Sequence, residues 1–310
     1  MPLPAVGAML GAAPVATILR PLLRALLVAG LCIALVVLGG CSVIRLGYNQ
    51  ADWMAYRWLD AYADFDEAQA PRVREAINAW FAWHRRTQLG DYSDLLLRFE
   101  AELSADTSAE RVCGWWGAVR TRIDRGLEQA VPAIAELAMT LRPAQLGNIE
   151  QRYAKSNAEF REEFLQQEGA RRIVASVKRA IGRSETLYGD IDPPQRERFE
   201  RWAAESPFDP NLALEERLRR QQDALQTLRR VAGGPASSAT AQAQIRGWLQ
   251  RFDPSPRESY RLLAERVVRH NCRLAADLHN STSADQRRFA SKKLRDWAAD
   301  LRALAVDAGA

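Results

Sequence analysis

Few side chains in this sequence are of the kinds that do chemistry, and they are spread thinly. There are three histidines, His84, His270 and His279. A zinc site needs two or three such rings converging with a thiolate or carboxylate. His270 and His279 cannot share one helical face at their spacing, and His84 adjoins Arg85 and Arg86 on an amphipathic run, so no metal is expected. Paired acids, Asp64/Asp66/Glu67 and Glu162/Glu163, could in principle cleave a glycan, but that depends on carboxylate separation in space. Solvated helix faces are the far commoner explanation for such acids. No Gly-rich phosphate loop, Gly-x-Ser-x-Gly elbow or His-Glu-x-x-His pattern occurs. The sequence therefore points to no catalytic residue, no cofactor and no metal. The four cysteines, Cys32, Cys41, Cys113 and Cys272, remain.

Cys41 has the most informative surroundings. Arg20 and Arg24 precede an uncharged apolar block, Ala25 to Leu38, which ends in Gly39-Gly40-Cys41. That is the layout of a secretory signal. The small residues directly before the cysteine resemble the lipobox of bacterial lipoproteins. The resemblance implies cleavage after Gly40, a lipid thioether on Cys41 and acylation (palmitate) of the new amino group. It also implies outer-membrane placement on the periplasmic face, since Ser42 rather than Asp follows the cysteine. The alternative is an uncleaved span, but a span needs about 20 apolar residues and this block is shorter. Met9 competes with Met1 as the start. Acyl chains contribute about 0.8 kcal/mol per buried CH₂, so two or three hold a protein to a bilayer essentially permanently. In such an oxidising compartment Cys113 and Cys272 are a natural disulfide, the alternative being two buried free thiols.

The charge balance excludes one class of partner. The whole chain carries +5, and loss of residues 1–40 removes only Arg20 and Arg24, leaving +3. Residues 41–140 are net −4 and residues 141–310 net +7. No dense basic stripe with interleaved aromatics appears, so no nucleic-acid partner is expected.

Helical periodicity runs through the whole chain, and strand signals are scarce. Apolar stripes are Val73/Ile77/Trp80/Phe81/His84, Val112/Trp116/Val119/Ile123/Leu127, Leu146/Ile149/Tyr153/Phe160/Phe164 (interrupted by Asn157), Tyr260/Leu263/Val267/Leu274/Leu278 and Leu294/Trp297/Leu301/Leu304. Helix starts are legible at Asp66…Gln69, Thr107…Glu110, Arg142…Gln145, Asp192…Gln195, Ser255…Glu258 and Thr282…Gln286. A short oxygen-bearing side chain caps an orphan N–H, and Gln or Glu three residues on reaches back. Arg142 lacks the capping oxygen. These signals predict an all-α, multi-helix bundle of about ten helices over residues 50–310. It would follow a signal peptide (1–40) and a short lipid tether (41–49), with a flexible loop at 232–240. Trp53, Tyr56, Leu59, Tyr62 and Phe65 fall at helical spacing and read as a core face. The alternative sets Tyr48, Trp53 or Trp58 at a lipid interface.

The segment Cys41-Ser-Val-Ile-Arg-Leu-Gly-Tyr-Asn-Gln-Ala-Asp-Trp53, with capped helices ending in Leu278-His279-Asn280-Ser281, resembles a proteobacterial lipoprotein family of unassigned function. That implies location and helicity rather than an activity. The recurrent helix-start glutamines also resemble the Leu-Thr-x-x-Gln signature of small periplasmic stress chaperones, although Leu141-Arg-Pro-Ala-Gln145 lacks the Thr and Ser281…Gln286 is shifted by one. The expectation is an outer-membrane-anchored, non-catalytic protein, held to the membrane by its lipid, that binds a protein partner in the envelope or supports the envelope. The alternatives are a peptidoglycan-acting enzyme and a chaperone-like protein.

Overall fold

The computed structural model describes residues 43–166, 169–234 and 237–306. Cys41 and Gly40 lie outside them. The chain divides after Leu46, and the larger unit begins at Gly47. Among the described residues there are twelve α-helices and no strand. They are α1 (Val43–Asn49), α2 (Ala51–Ala63), α3 (Gln69–Thr87), α4 (Leu89–Glu102), α5 (Ala109–Met139) and α6 (Pro143–Arg161). A π-helical turn, Glu162–Gln166, precedes α7 (Gly169–Tyr188), α8 (Pro193–Ala204), α9 (Pro210–Gly233), α10 (Ser238–Phe252), α11 (Glu258–Asn280) and α12 (Ala284–Val306). The expected loop at 232–240 is shorter than its composition suggests. Helix α9 continues to Gly233 and Ser237 caps α10 through the Thr240 N–H, while residues 235–236 lie outside the described set.

Four glutamines organise the bundle. Each stands three residues after a helix-starting cap, and its Oε1 accepts the N–H of that cap residue: Asp66 to Gln69 (3.2 Å), Arg142 to Gln145 (2.9 Å), Asp192 to Gln195 (3.2 Å) and Ser283 to Gln286 (2.9 Å). The glutamines then pair. Gln145 Nε2 donates to Gln69 Oε1 at 2.7 Å and Gln69 Nε2 donates back at 3.2 Å. Gln195 and Gln286 exchange the same two bonds at 2.9 Å each. Each amide also donates to the carbonyl two residues before its partner's cap: Gln69 to Thr140, Gln145 to Asp64, Gln195 to Ser281 and Gln286 to Asp190. The hydroxyls of Thr140 and Ser281 turn back to Leu137 O and Leu278 O at 2.8 Å. Arg142 offers no acceptor of its own and instead ion-pairs with Asp66 at 2.9 Å.

These matching bonds reveal an internal repeat. Two helical hairpins, α2–α3 and α5–α6, abut at one glutamine pair, and α7–α8 and α11–α12 abut at the other. The packing follows the same pattern: α2 lies on α6 as α7 lies on α12, and α3 on α5 as α8 on α11. Helices inserted into each half pack on the other half. Helix α4 lies along α12, where Ser93 Oγ donates to Ala298 O at 2.9 Å, and α9 and α10 pack on α5 and α6.

Three apolar clusters fill the spaces so made. One joins Leu103, Ile181, Tyr188, Phe199, Leu278 and Leu294. A second joins Val131, Ala135 and Ala138 of α5 to Val231, Ala241 and Ile245. A third joins Ala63, Leu141, Leu146, Ile149 and Leu225. Polar ties complete the packing. Asn157, the break in its stripe, is buried, donates to Gln221 at 2.7 Å and accepts from Arg217 at 2.8 Å. Glu216 is buried and accepts from Arg219 and Arg220, both at 2.8 Å. Burial pushes its carboxyl up, but hydrogen bonds from Arg219, Arg220 and Ser255 pull it further down, so it stays ionised below the usual carboxylate value.

The apolar stripe of α5 points outward, whereas the expected core face of α2 turns inward at Tyr56, Leu59, Tyr62 and Phe65 and fails only at Trp53. On α5, Trp116, Val119, Ile123 and Leu127 are exposed. The helix buries its opposite, small-residue side instead: Gly126 lies against Trp80, and Val131, Ala135 and Ala138 enter the second cluster. On α2, Tyr56 and Ala63 are buried, while Trp53 and Trp58 face solvent.

Replacing one glutamine strands several groups. Gln195→Ala leaves the Asp192 N–H and the Ser281 carbonyl without their glutamine partner, removes both bonds between the paired amides, and is expected to cost about 2–4 kcal/mol. Urea unfolding of a double-mutant cycle should show Gln195→Ala and Gln286→Ala coupled by about 1–3 kcal/mol, but Gln195→Ala and Gln145→Ala additive. Additivity within a pair would rule out the reciprocal amides as the link between hairpins.

Candidate functional site

A groove of about 430 Å³ opens where the two halves meet, between α4 and α5 on one side and α7, α8 and α11 on the other. Its floor is Phe199 and Leu278, both almost fully buried. Its walls are half-buried apolar side chains, among them Phe99, Trp115, Leu187, Trp202 and Leu274. The polar groups are few and most are already engaged. Glu102 accepts from Arg111, and from Trp115 Nε1 at 3.0 Å. Its carboxyl is held below the usual range by the Arg111 hydrogen bond. Asn271 Oδ1 accepts from Trp202 Nε1 at 3.1 Å. Arg183 differs: it lines the groove, is exposed, and has no hydrogen bond or ion pair among the described residues. Since Arg111 neutralises Glu102, the groove carries net positive charge at this guanidinium.

The rim is stapled. A disulfide joins Cys113 on α5 to Cys272 on α11, with Cα atoms 5.6 Å apart across 159 residues of sequence. Val112 and Asn271, the neighbours of these cysteines, both line the groove. On the chain-entropy view a loop of this length lowers the free energy of the fold by up to about 5 kcal/mol. Asn280 closes the same end. Instead of capping its own helix, it donates from Nδ2 to Thr107 O at 2.9 Å and accepts the Thr107 N–H at 2.8 Å.

The three histidines are separate and each has a bonding role. His279 Nε2 lies 2.8 Å from Ala105 O, so it must donate there, which leaves Nδ1 to accept from Tyr188 OH at 3.0 Å. Burial raises the Tyr188 hydroxyl to about 12, so it stays protonated for that bond. His270 Nε2 donates to Trp202 O at 2.8 Å. His84 lies between two tyrosines, with Nδ1 2.7 Å from Tyr48 OH and Nε2 3.2 Å from Tyr92 OH, and it stacks on Trp80. No group of three histidine, cysteine or acidic side chains that could hold a metal ion occurs among the described residues. The acids singled out in the sequence are also taken separately: Asp66 pairs with Arg142, and Glu163 with Arg179 at 3.0 Å. Asp64 ends α2 in the left-handed region at φ 50°. No sequence signal marked the groove or Arg183, because its lining comes from five helices far apart in the chain.

Burial lowers the pKa of His84. A histidine depressed in the folded state binds its proton more tightly when unfolded. Its contribution is therefore complete above the unfolded value, about 6.5, and is lost as pH falls below it. The drop in Tm between pH 7.5 and pH 5 is expected to shrink in His84→Gln; an unchanged drop would assign the acid sensitivity to other groups.

No helix among the described residues is long and apolar enough to cross a membrane. No curated protein and no solved structure matches the chain. A family of unknown function, DUF6279, matches residues 61–261, from the end of α2 into the start of α11, and with more than half its length covered the chain belongs to that family.

Proposed function

We propose that this is a lipid-anchored protein of the periplasmic face of the outer membrane that binds a partner protein and catalyses nothing. The observation that carries the binding reading is the groove between the halves, with aromatic walls and one unpaired cation, Arg183, at its edge. Apolar walls desolvate an apolar segment, and a lone guanidinium selects an acid beside it. The occupant that fits is an apolar segment of a partner protein carrying an Asp, a Glu or a C-terminal carboxylate. The rigid rim made by the disulfide and the Asn280 clasp favours a preformed site, which lowers the ordering cost of binding. The anchoring half of the proposal rests on Leu38-Gly39-Gly40-Cys41 and the apolar block before it.

Each half has its own test. A photo-crosslinking residue in place of Leu187, in the intact envelope, is expected to give one discrete adduct. Its yield should fall at least tenfold in Arg183→Glu and recover in Arg183→Lys; a yield indifferent to that charge would overturn the groove as the binding site. Release of muropeptides by the purified protein, abolished by Asp66→Asn or Glu163→Gln, would overturn the non-catalytic reading. Cys41→Ala is expected to move the protein from the membrane fraction to the soluble fraction. Unchanged fractionation would favour an uncleaved N-terminal span.

A further inference from the structure

Helix α2 presents an unusual outer face. Trp53, Met54 and Trp58 are 61%, 57% and 62% exposed. With Arg57 and Ala61, also exposed, they occupy one continuous sector of the helix, because positions 53, 57 and 61 and positions 54 and 58 stack at helical spacing. No acid lies in that sector; Asp60 is half-buried at its edge and Asp52 is half-buried on the far side of the helix. The Arg57 guanidinium lies over the Trp53 ring, 5.9 Å from its centroid, and the Trp58 ring is 5.0 Å from that of Tyr62. The opposite side of α2 is fully used, with Tyr56 under Arg74 and Ala63 in the core. The outward aromatics are therefore not spare core residues. Two large rings and a thioether in water, with a single cation among them, form an apolar patch that needs a cover.

We infer that this face rests in the headgroup region of a lipid bilayer. The inference rests on the proposed anchoring at Cys41. Trp53 follows Cys41 by twelve residues, a reach of at most about 40 Å even if fully extended, so an anchored chain keeps this helix within touch of the membrane. The chemistry favours lipid over protein. Indole rings concentrate at the membrane–water interface, where the ring is desolvated and the N–H stays wet. Arg57 supplies the positive charge that anionic headgroups attract, and no carboxylate opposes it. The aromatic face thus acts as a second, orienting contact: the lipid fixes the distance and α2 fixes which side of the bundle faces the membrane.

The test uses the full mature chain, lipid included, in vesicles of three parts phosphatidylethanolamine to one part phosphatidylglycerol whose acyl chains carry bromine, a contact quencher of indole emission. Flotation reads the anchor and quenching reads the face. The wild-type protein is expected to float and to lose part of its emission to brominated lipid. Trp53→Phe/Trp58→Phe is expected to float equally, with unchanged helicity, and to lose that quenchable part. Flotation with no quenching, or with quenching that the double substitution leaves intact, overturns the inference and leaves the anchor standing. Failure of the wild-type protein to float overturns both. A change in Trp53 and Trp58 emission that follows protein concentration rather than lipid overturns it in favour of a second copy of this chain.

Discussion

The bundle depends on a short-range exchange of hydrogen bonds between amides that are distant in sequence. A primary amide has two donors and an acceptor with two lone pairs. In each glutamine pair the acceptor takes a cap N–H and the partner amide, and the donors reach the partner's oxygen and a carbonyl of the partner's turn. Nothing is left over. That completeness matters because Gln69, Gln145 and Gln195 are buried, where an unmet amide costs more than a met one gains. Each pair therefore fixes two turns at once, and with them the crossing of four helices. The same saturation leaves the glutamines little capacity to hold a client chain; they join hairpins.

The repeat gives the molecule two four-helix frames, and the inserted helices keep them from being independent. Helix α4 belongs by sequence to the first frame and packs on α12 of the second, while α9 and α10 belong to the second and cover α5 and α6 of the first. This reciprocal exchange places the cores across the boundary between frames. It also creates the groove, which lies where α4 and α5 meet α7, α8 and α11. The Cys113–Cys272 bond and the Asn280–Thr107 clasp both cross at that seam. A covalent tie and a polar tie of long range thus both border this groove and hold its shape.

Much of this was legible in the sequence and some was not, for identifiable reasons. The helical class and the glutamine starts were readable because capping is local: Asp192-Pro-Pro-Gln195 declares itself within four residues. The pairing of Gln195 with Gln286, 91 residues away, has no local trace. The outward stripe of α5 shows a subtler failure. Periodicity locates an apolar face, but which face is buried depends on how closely neighbours approach. Gly126 brings Trp80 close enough for its indole N–H to donate to the Gly126 carbonyl at 3.0 Å, and a β-carbon there would already sit 3.4 Å from the ring. Small residues carry a weak hydropathy signal and a strong packing one, so Trp116, Val119, Ile123 and Leu127 read as core and are not.

The same logic separates the two outward faces. On α5 the exposed stripe includes Arg120, which is tied to Asp253 at 2.7 Å, so a charge pair belonging to the fold itself borders that apolar surface. On α2 the only cation, Arg57, leans on Trp53 and has no carboxylate partner. A guanidinium already paired gains little from a new anion, whereas one stacked on an indole keeps its donors free for a phosphate while its flat face is shielded. Arg183 at the groove is in the same position, unpaired beside aromatic walls. Many of the described arginines are bonded to acids or carbonyls of the fold, whereas Arg57 and Arg183, beside exposed or half-buried aromatics, keep guanidinium donors to which an acidic or anionic group can bind at little cost.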